Sequence, residues 1–294
     1  MAGRRGGDVV AYARALRVSA VVAACGALVL GCTGGGGGSA SPPTTSSGTA
    51  RSATTDSQPS ASATPETNAG KEPKTTTQAR SLIQRVISGP ELFGTGVVRA
   101  TPYESDPAQW AVLGDDCLWR LRPLPADALA TLTRHFEVPA SGAKGAVRLS
   151  ATVTVHRTAL DASWEQARML EEDLDCTQQT QRPGERLTGL QSLSFARGEG
   201  GNTSGDDLLL ETGQCVSDTR GRPYPYWWQQ AVLGSVVAGT SVCGGRGRSE
   251  QELNSLVAEV LPRMLLRVQQ EIGGTSGTGS SGATASASGT KGGS

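Results

Sequence analysis

The sequence has few aromatic residues and no net charge. The first limits the size of the hydrophobic core, and the second limits the kinds of partner that the protein can bind. Its 294 residues include five Trp, four Tyr and three Phe, against 39 Gly and 15 Pro. Because Gly and Pro concentrate near the two ends, the part that can bury a core is much shorter than the chain. Lys and Arg balance Asp and Glu at 27 each, so the chain as a whole has no field that attracts nucleic acid, and nucleic-acid binding is not expected.

The sequence also lacks the motifs of the commonest enzyme classes. It contains no G-x-S-x-G, which removes the simplest hydrolase, and none of the Gly-rich loop, HRD and DFG motifs of a kinase. The two histidines, His135 and His156, stand in no triad or metal-ligand spacing and are expected to be surface or half-buried residues. We therefore expect no catalytic residue, no cofactor and no metal. A cell-envelope hydrolase is the contrasting hypothesis, and a structural, partner-binding lipoprotein is a third.

Residues 1–32 have the layout of a bacterial lipoprotein signal peptide. Four arginines precede an apolar run over residues 18–30, which is too short to span a membrane. The tetrapeptide Val29-Leu30-Gly31-Cys32 resembles a lipobox, in which the cysteine is acylated and becomes the new N-terminus. Two acyl chains hold a protein stably on a bilayer, so Cys32 predicts a partner in membrane lipid and a location on the extracytoplasmic face of the cell membrane. The alternative is an ordinary signal peptide cut elsewhere, with Cys32 incidental.

Two low-complexity segments flank the part of the chain that can fold. Residues 33–79 consist mainly of Gly, Ser, Thr, Ala and Pro, and residues 273–294 are similar. Such segments cannot bury enough apolar surface to offset the entropy of the chain. They predict a disordered linker, which tethers the protein above the membrane, and a disordered tail. One domain is expected between them, over residues 80–272.

The hydrophobic pattern of that domain mixes helices and strands without strict alternation. Strands are predicted in GVVRA, CLWRL, VRLSATVTVHR, LTGLQSLSFARG, DDLLLETGQC, YPYWWQQAVLG and SVVAGTSVCG, the last two forming a hairpin around Gly234. Helices are predicted in ARSLIQRVIS, in PADALATLTRHF, over ALDASWEQARMLEEDLDC, and from Ser249 onward with a kink at Pro262. This order indicates an α+β fold with a largely antiparallel sheet and helices on one face.

The helix that ends at Cys176 has a marked apolar side. Its spacing places Leu160, Trp164, Ala167, Leu170 and Leu174 on one helical face. Such a stripe is typical of a helix that packs through that face.

Four cysteines remain after the signal peptide: Cys117, Cys176, Cys215 and Cys243. An even number in an exported domain is the pattern of two disulfides. The spacings contain no CxxC, so zinc is not expected. Four cysteines allow three pairings, and the residues alone do not choose among them.

The cysteine order, the helix WEQARMLEEDLDC and the ending WWQQAVLGSVVAGTSVCGG resemble the extracellular sensor domain of mycobacterial receptor-type serine/threonine kinases, which also occurs as free-standing actinobacterial lipoproteins. The similarity covers roughly residues 95–272. It implies an antiparallel sheet with a cleft, and sequential bridges from Cys117 to Cys176 and from Cys215 to Cys243. It also implies ligand binding or signalling, and not phosphoryl transfer.

Two stretches are candidates for binding an unknown small molecule or cell-wall component. The aromatic segment PYPYWW contains Tyr224, Tyr226, Trp227 and Trp228, which form a candidate stacking wall for a sugar or lipid-like ligand. The alternative is a strand that buries one Trp in the core and leaves the other at the edge of a cleft. The segment CGGRGRS, with Arg246 and Arg248, is either an anion site or a flexible connector with solvated charges.

Overall fold

The computed structural model describes residues 67–274. The predicted signal peptide, the acylation site at Cys32, most of the linker and most of the tail lie outside these residues. The residues between 67 and 79, which the sequence places in the linker, belong to the fold. The backbone amide of Asn68 donates to the carbonyl of Ile272 at 2.7 Å, and Thr67 pairs with Gly273 as an isolated bridge.

An antiparallel sheet forms the centre of residues 67–274, and the α+β fold class is confirmed. Eight strands lie in the order β1-β4-β5-β10-β9-β8-β7-β6, and β2 and β3 form a separate hairpin. The strands are β1 (Val98–Glu104), β2 (Gln109–Leu113), β3 (Trp119–Pro123), β4 (Ala128–Val138), β5 (Val147–His156), β6 (Gln178–Arg182), β7 (Glu185–Ala196), β8 (Asp207–Ser217), β9 (Gly221–Leu233) and β10 (Val236–Cys243). As predicted, β9 and β10 form a hairpin at Gly234, whose φ of 58° suits glycine.

The helices of this region are α1 (Thr76–Val86), α2 (Ala159–Asp175), α3 (Glu250–Val257) and α4 (Val260–Ile272). The predicted closing helix is thus two helices, because the helix is interrupted by a turn between Val257 and Val260. Pro262 lies in the first turn of α4, where a missing amide hydrogen costs no helical hydrogen bond. None of the helices in the described region is long and apolar enough to cross a membrane.

The segment PADALATLTRHF, predicted as a helix, is instead strand β4. It pairs with β1 on one side and with β5 on the other. Ala and Leu favour a helix locally, but Ala130, Leu132 and Phe136 are separated by even numbers of positions, which places them on one face of a strand. All three are buried in the main core. Strand pairing and burial on both sides outweigh the local preference.

The helices lie on both faces of the sheet, which corrects the prediction that they lie on one. Helices α1, α3 and α4 share the main core with Ala231, Leu233, Val236 and Ala238 of the β9–β10 hairpin. Helix α2 packs through Ala162 on Val232 and Val237, which point to the opposite side because side chains alternate along a strand.

The face that carries α2 is concave. Arg148 of β5 and Glu185 of β7 are four strand spacings apart in the sheet, or roughly 19 Å if it were flat. Their side chains nevertheless form an ion pair with Nη2 of Arg148 2.5 Å from Oε2 of Glu185. Arg148 pairs in register with Cys243, and Cys243 with Tyr226, so these residues share the concave face.

Two disulfides are present, with the pairing that the resemblance implied. Cys117, just before β3, is bonded to Cys176 at the end of α2, and Cys215 of β8 is bonded to Cys243 of β10. The first bridge ties α2 to the β2–β3 hairpin. The second spans β9 on the concave face.

Candidate functional site

Strand β9 divides the predicted aromatic wall between the two faces of the sheet. Trp227 packs against the main core on the convex face, beside α3 and α4. Tyr224, Tyr226 and Trp228 belong to a smaller apolar cluster on the concave face, together with the Cys215–Cys243 bridge. Of the two alternatives, the structure has the tryptophans of an alternating strand on opposite sides, each partly buried.

Trp227 lines a groove of about 480 Å³ on the convex face, which we call the Trp227 groove. Its other lining residues are Thr188, Gly189, Gln191, Thr212, Gly213, Gln214, Pro225 and Glu250. These residues come from β7, β8, β9 and the start of α3. The groove therefore combines one indole ring with hydroxyl, amide and carboxylate groups.

An irregularity in β7 shapes this groove. The pairing of β7 with β8 shifts register between Thr188 and Gln191, and Gly189 there has a φ of 62°, which favours glycine. Across from it, a Cβ added to Gly213 would lie 2.7 Å from Leu190 Cδ2. Small residues therefore let the two strands approach closely while neighbouring polar side chains line the groove.

Tyr224 lines a second cavity, of about 240 Å³, which we call the arginine pocket. The other lining residues are Gly145, Ala146, Arg220, Gly245 and Arg246. The hydroxyl of Tyr224 donates to the backbone carbonyl of Arg220 at 3.1 Å. This bond fixes the β8–β9 turn against the tyrosine side chain.

The two arginines of CGGRGRS have different environments. Arg248 donates to the carbonyls of Gly145 and Pro139 and pairs with Glu252, with Nη1 2.6 Å from Oε1. It anchors the segment to the loop before β5. Arg246 is exposed and lines the arginine pocket.

Tyr226 and Trp228 line neither cavity. Tyr226 is buried, and its hydroxyl lies within hydrogen-bonding reach of Glu211 on β8. Burial, then the charges of Glu211 and Asp173, raises the pKa of the Tyr226 phenol well above its usual value. Trp228 packs against the same apolar cluster.

A buried carboxyl pair under α2 was not found from the sequence. Glu211 and Asp173 are 3% and 5% exposed. Ser192 and Gln179 donate to Asp173, whereas Oε2 of Glu211 has no partner. Burial, and then Asp173, raises the pKa of Glu211 to about 10. The signal was the alternation in β8, which places Glu211 between Leu209 and Cys215 on one face.

More polar groups fill the space between α2 and the sheet. His156, expected to be a surface or half-buried residue, is 1% exposed and contacts Glu165 of α2, with Nε2 2.5 Å from Oε2. Gln230 of β9 donates to Gln166 of α2 at 2.9 Å. The buried side of α2 is thus largely polar.

The predicted apolar side of α2 faces outward. Leu160, Trp164 and Leu174 are 66%, 65% and 69% exposed. The helix is where the sequence placed it, but its orientation is the reverse of the one that its apolar stripe predicts. No group of three or more potential metal ligands occurs within residues 67–274.

The geometry defines a disulfide-bonded α+β domain with a groove on one face of β9 and a pocket on the other. No family model matches the chain, and no curated protein matches it. Among solved structures, the chain is similar to the crystal structure of the extracellular domain of PknH from Mycobacterium tuberculosis, with 12% sequence identity and a TM-score of 0.42. The match covers 69% of this chain and 100% of that chain.

Proposed function

We propose that the protein is a membrane-anchored, extracytoplasmic lipoprotein whose domain binds a ligand in the Trp227 groove without transforming it, as a sensor-like module would. The observation that carries the proposal is the composition of the groove. Trp227 supplies an aromatic surface, and Thr188, Gln191, Thr212 and Gln214 supply hydroxyl and amide groups around it. A volume of about 480 Å³ is within the range of small-molecule sites.

This chemistry suits a polyhydroxylated ligand such as a cell-wall saccharide. An indole ring stacks on the apolar face of a sugar, and amides both donate to and accept from hydroxyl groups. Glu250 adds a carboxylate at the start of α3, which accepts hydrogen bonds only. A purely lipid-like ligand would displace water from these polar groups without replacing its hydrogen bonds, which is costly.

Acylation at Cys32 and the two disulfides both support the proposed location. Acylation of Cys32 holds the N-terminus at the outer face of the membrane. The two disulfides suit an oxidising compartment, since such bonds are rare in the cytosol. A chain with Cys32→Ser should lose incorporation of labelled palmitate and leave the membrane fraction, while palmitate in that variant would contradict the assignment.

The non-catalytic assignment has support in the position of the titratable groups. Glu211, whose pKa is raised to about 10 by burial and then by Asp173, is an acid–base candidate together with that neighbour. However, neither residue lines the Trp227 groove or the arginine pocket. A hydrolase acting on wall polymer needs such a pair at its substrate.

The experiment is calorimetric titration of the purified chain with a panel of cell-wall oligosaccharides. We expect binding that Trp227→Ala weakens at least tenfold. Trp164→Ala is the matched control, since Trp164 is an exposed tryptophan outside the groove and its loss should leave affinity unchanged. Equal effects of the two changes, or no saccharide binding at all, would contradict the proposal. Mass spectrometry that detects cleaved saccharide would favour the hydrolase instead.

A further inference from the structure

The arginine pocket lies on the opposite side of β9 from the Trp227 groove and has a different chemistry. Loops from three parts of the chain meet there, and glycines allow them to touch. A Cβ on Gly245 would lie 2.3 Å from the carbonyl oxygen of Ala146, and one on Gly145 would lie 2.9 Å from the amide nitrogen of Arg246. Because both glycines are in close backbone contact, the walls of the pocket are held in place by the main chain.

Positive charge exceeds negative charge around this pocket. Arg148 and Arg220 share one carboxylate oxygen, Oε2 of Glu185, at 2.5 Å and 3.4 Å. Arg246 lines the pocket as well, and Arg182 is close enough to repel the charge of Arg220. Two arginines thus share one carboxylate, while Arg246 lines the same pocket as Arg220 and Arg182 lies near Arg220.

The other carboxylates near these loops do not remove the excess. Asp218, in the β8–β9 turn, pairs with Arg186 at 3.6 Å. Glu252 on α3 pairs with Lys144 at 2.9 Å and with Arg248 at 2.6 Å. Each of these acids is thus paired with basic residues other than Arg220 and Arg246, which line the pocket.

Arg220 has hydrogen-bonding capacity that the protein leaves unused. Its Nη2 contacts Glu185 and lies 3.2 Å from Sγ of Cys243. Its Nε and Nη1 are buried and have no partner among the protein atoms. A guanidinium has five N–H donors in a planar fork that matches an oxyanion. Burial, followed by the charge of Arg148, lowers the pKa of Arg220.

From these contacts we infer that the arginine pocket binds an oxyanion, with phosphate as the group. Phosphate accepts two parallel hydrogen bonds from one guanidinium and balances the charge of several. Exposed Arg246 of the CGGRGRS segment supplies the accessible guanidinium, and Arg220, with Nε and Nη1 unpartnered, contributes positive charge at the same pocket. The phosphate can belong to a soluble molecule or to a phospholipid headgroup, since the recognising chemistry is the same.

The first test measures inorganic phosphate binding to the full chain, purified with both disulfides formed, by calorimetry and by chemical shift changes at the pocket. Arg246→Gln should weaken binding at least tenfold, and Arg220→Gln should weaken it several-fold. Arg246→Gln also serves if the Arg220 variant does not fold, because Arg246 is exposed. The matched control is Arg263→Gln, which removes a charge from exposed residue Arg263 of α4.

The outcomes separate the inference from general charge attraction and from the proposed function. Absence of phosphate binding, or equal weakening by Arg263→Gln, overturns it. The inference stands independently of saccharide binding, because Trp227→Ala should leave phosphate affinity unchanged. Flotation with phosphatidylglycerol or phosphatidylcholine vesicles, using the chain with Cys32→Ser, identifies the source of the phosphate. Binding to either vesicle that requires Arg246 assigns a lipid headgroup, and phosphate binding without vesicle binding assigns a soluble ligand.

Discussion

Replacement of Glu211 by Gln tests whether the buried carboxyl pair shapes the stability of this protein. In the fold, Glu211 has a pKa of about 10 because it is buried next to Asp173. In the unfolded chain its pKa is near 4.5. Between these two values the folded protein binds one proton more than the unfolded chain. Stability from this group is therefore complete below pH 4.5 and is lost as pH rises toward 10.

The magnitude follows from linkage. One proton taken up on folding changes the free energy of unfolding by ~1.4 kcal/mol per pH unit. Between pH 6 and pH 8 the wild-type chain should lose about 3 kcal/mol through this group. The glutamine side chain of the variant is neutral at every pH, and its amide can donate to Asp173. We therefore expect Glu211→Gln to gain about 3 kcal/mol relative to wild type over that interval.

The assay is urea denaturation at half-unit intervals from pH 5 to pH 9, with the midpoint and slope fitted at each pH. Glu172, whose pKa burial raises to about 7, contributes its own loss of stability as the pH rises toward 7. That contribution is present in both proteins and cancels in their difference. Glu171→Gln is the matched control, because Glu171 is exposed and lies next to Glu172 on α2. Parallel pH curves for wild type and Glu211→Gln would refute the reasoning.

Two further predictions concern the Cys117–Cys176 disulfide and the orientation of α2. Replacement of both Cys117 and Cys176 by Ser opens a loop with a sequence separation of 59, which in the chain-entropy treatment costs about 4 kcal/mol. Thermal unfolding of the oxidised double variant beside oxidised wild type measures this cost, and a loss below about 1 kcal/mol would contradict it. Trp164→Gln should change stability by no more than about 0.5 kcal/mol, because its side chain is mostly exposed. Met264→Ala should cost about 2 to 5 kcal/mol, because Met264 is fully buried in the main core. Similar losses for these two variants would show that α2 packs through its apolar stripe after all.

Much of the fold follows from local patterns in the chain. The alternation in VRLSATVTVHR predicts β5, and Thr158 and Ser249 start α2 and α3 as helix caps should, each accepting a hydrogen bond from a backbone amide in the first turn. Gly234 marks the β9–β10 hairpin. These features depend on neighbours within a few residues, which a sequence displays directly.

Helix α2 and strand β4 show where that reasoning stops. The leucines of α2 and Trp164 form the stripe that normally packs inward, yet Ala162, Gln166 and Asp173 are the buried residues. Their partners, such as Gln230 and Ser192, come from distant strands. In β4, the neighbours β1 and β5 decide the conformation against the helical preference of its Ala and Leu residues.

The candidate sites divide in the same way. The sequence by itself determined the residue types: an aromatic run at Tyr224–Trp228, the arginines of CGGRGRS and four cysteines in an even set. Only the tertiary structure decided which face of the sheet each of these residues occupies and which residues it contacts. Strand alternation sends Trp227 to a groove and Tyr224 to a pocket, and the curl of the sheet brings Arg148 and Glu185 together. The physical reason is that charge balance and burial depend on contacts between residues far apart in the chain, whereas local periodicity depends only on near neighbours.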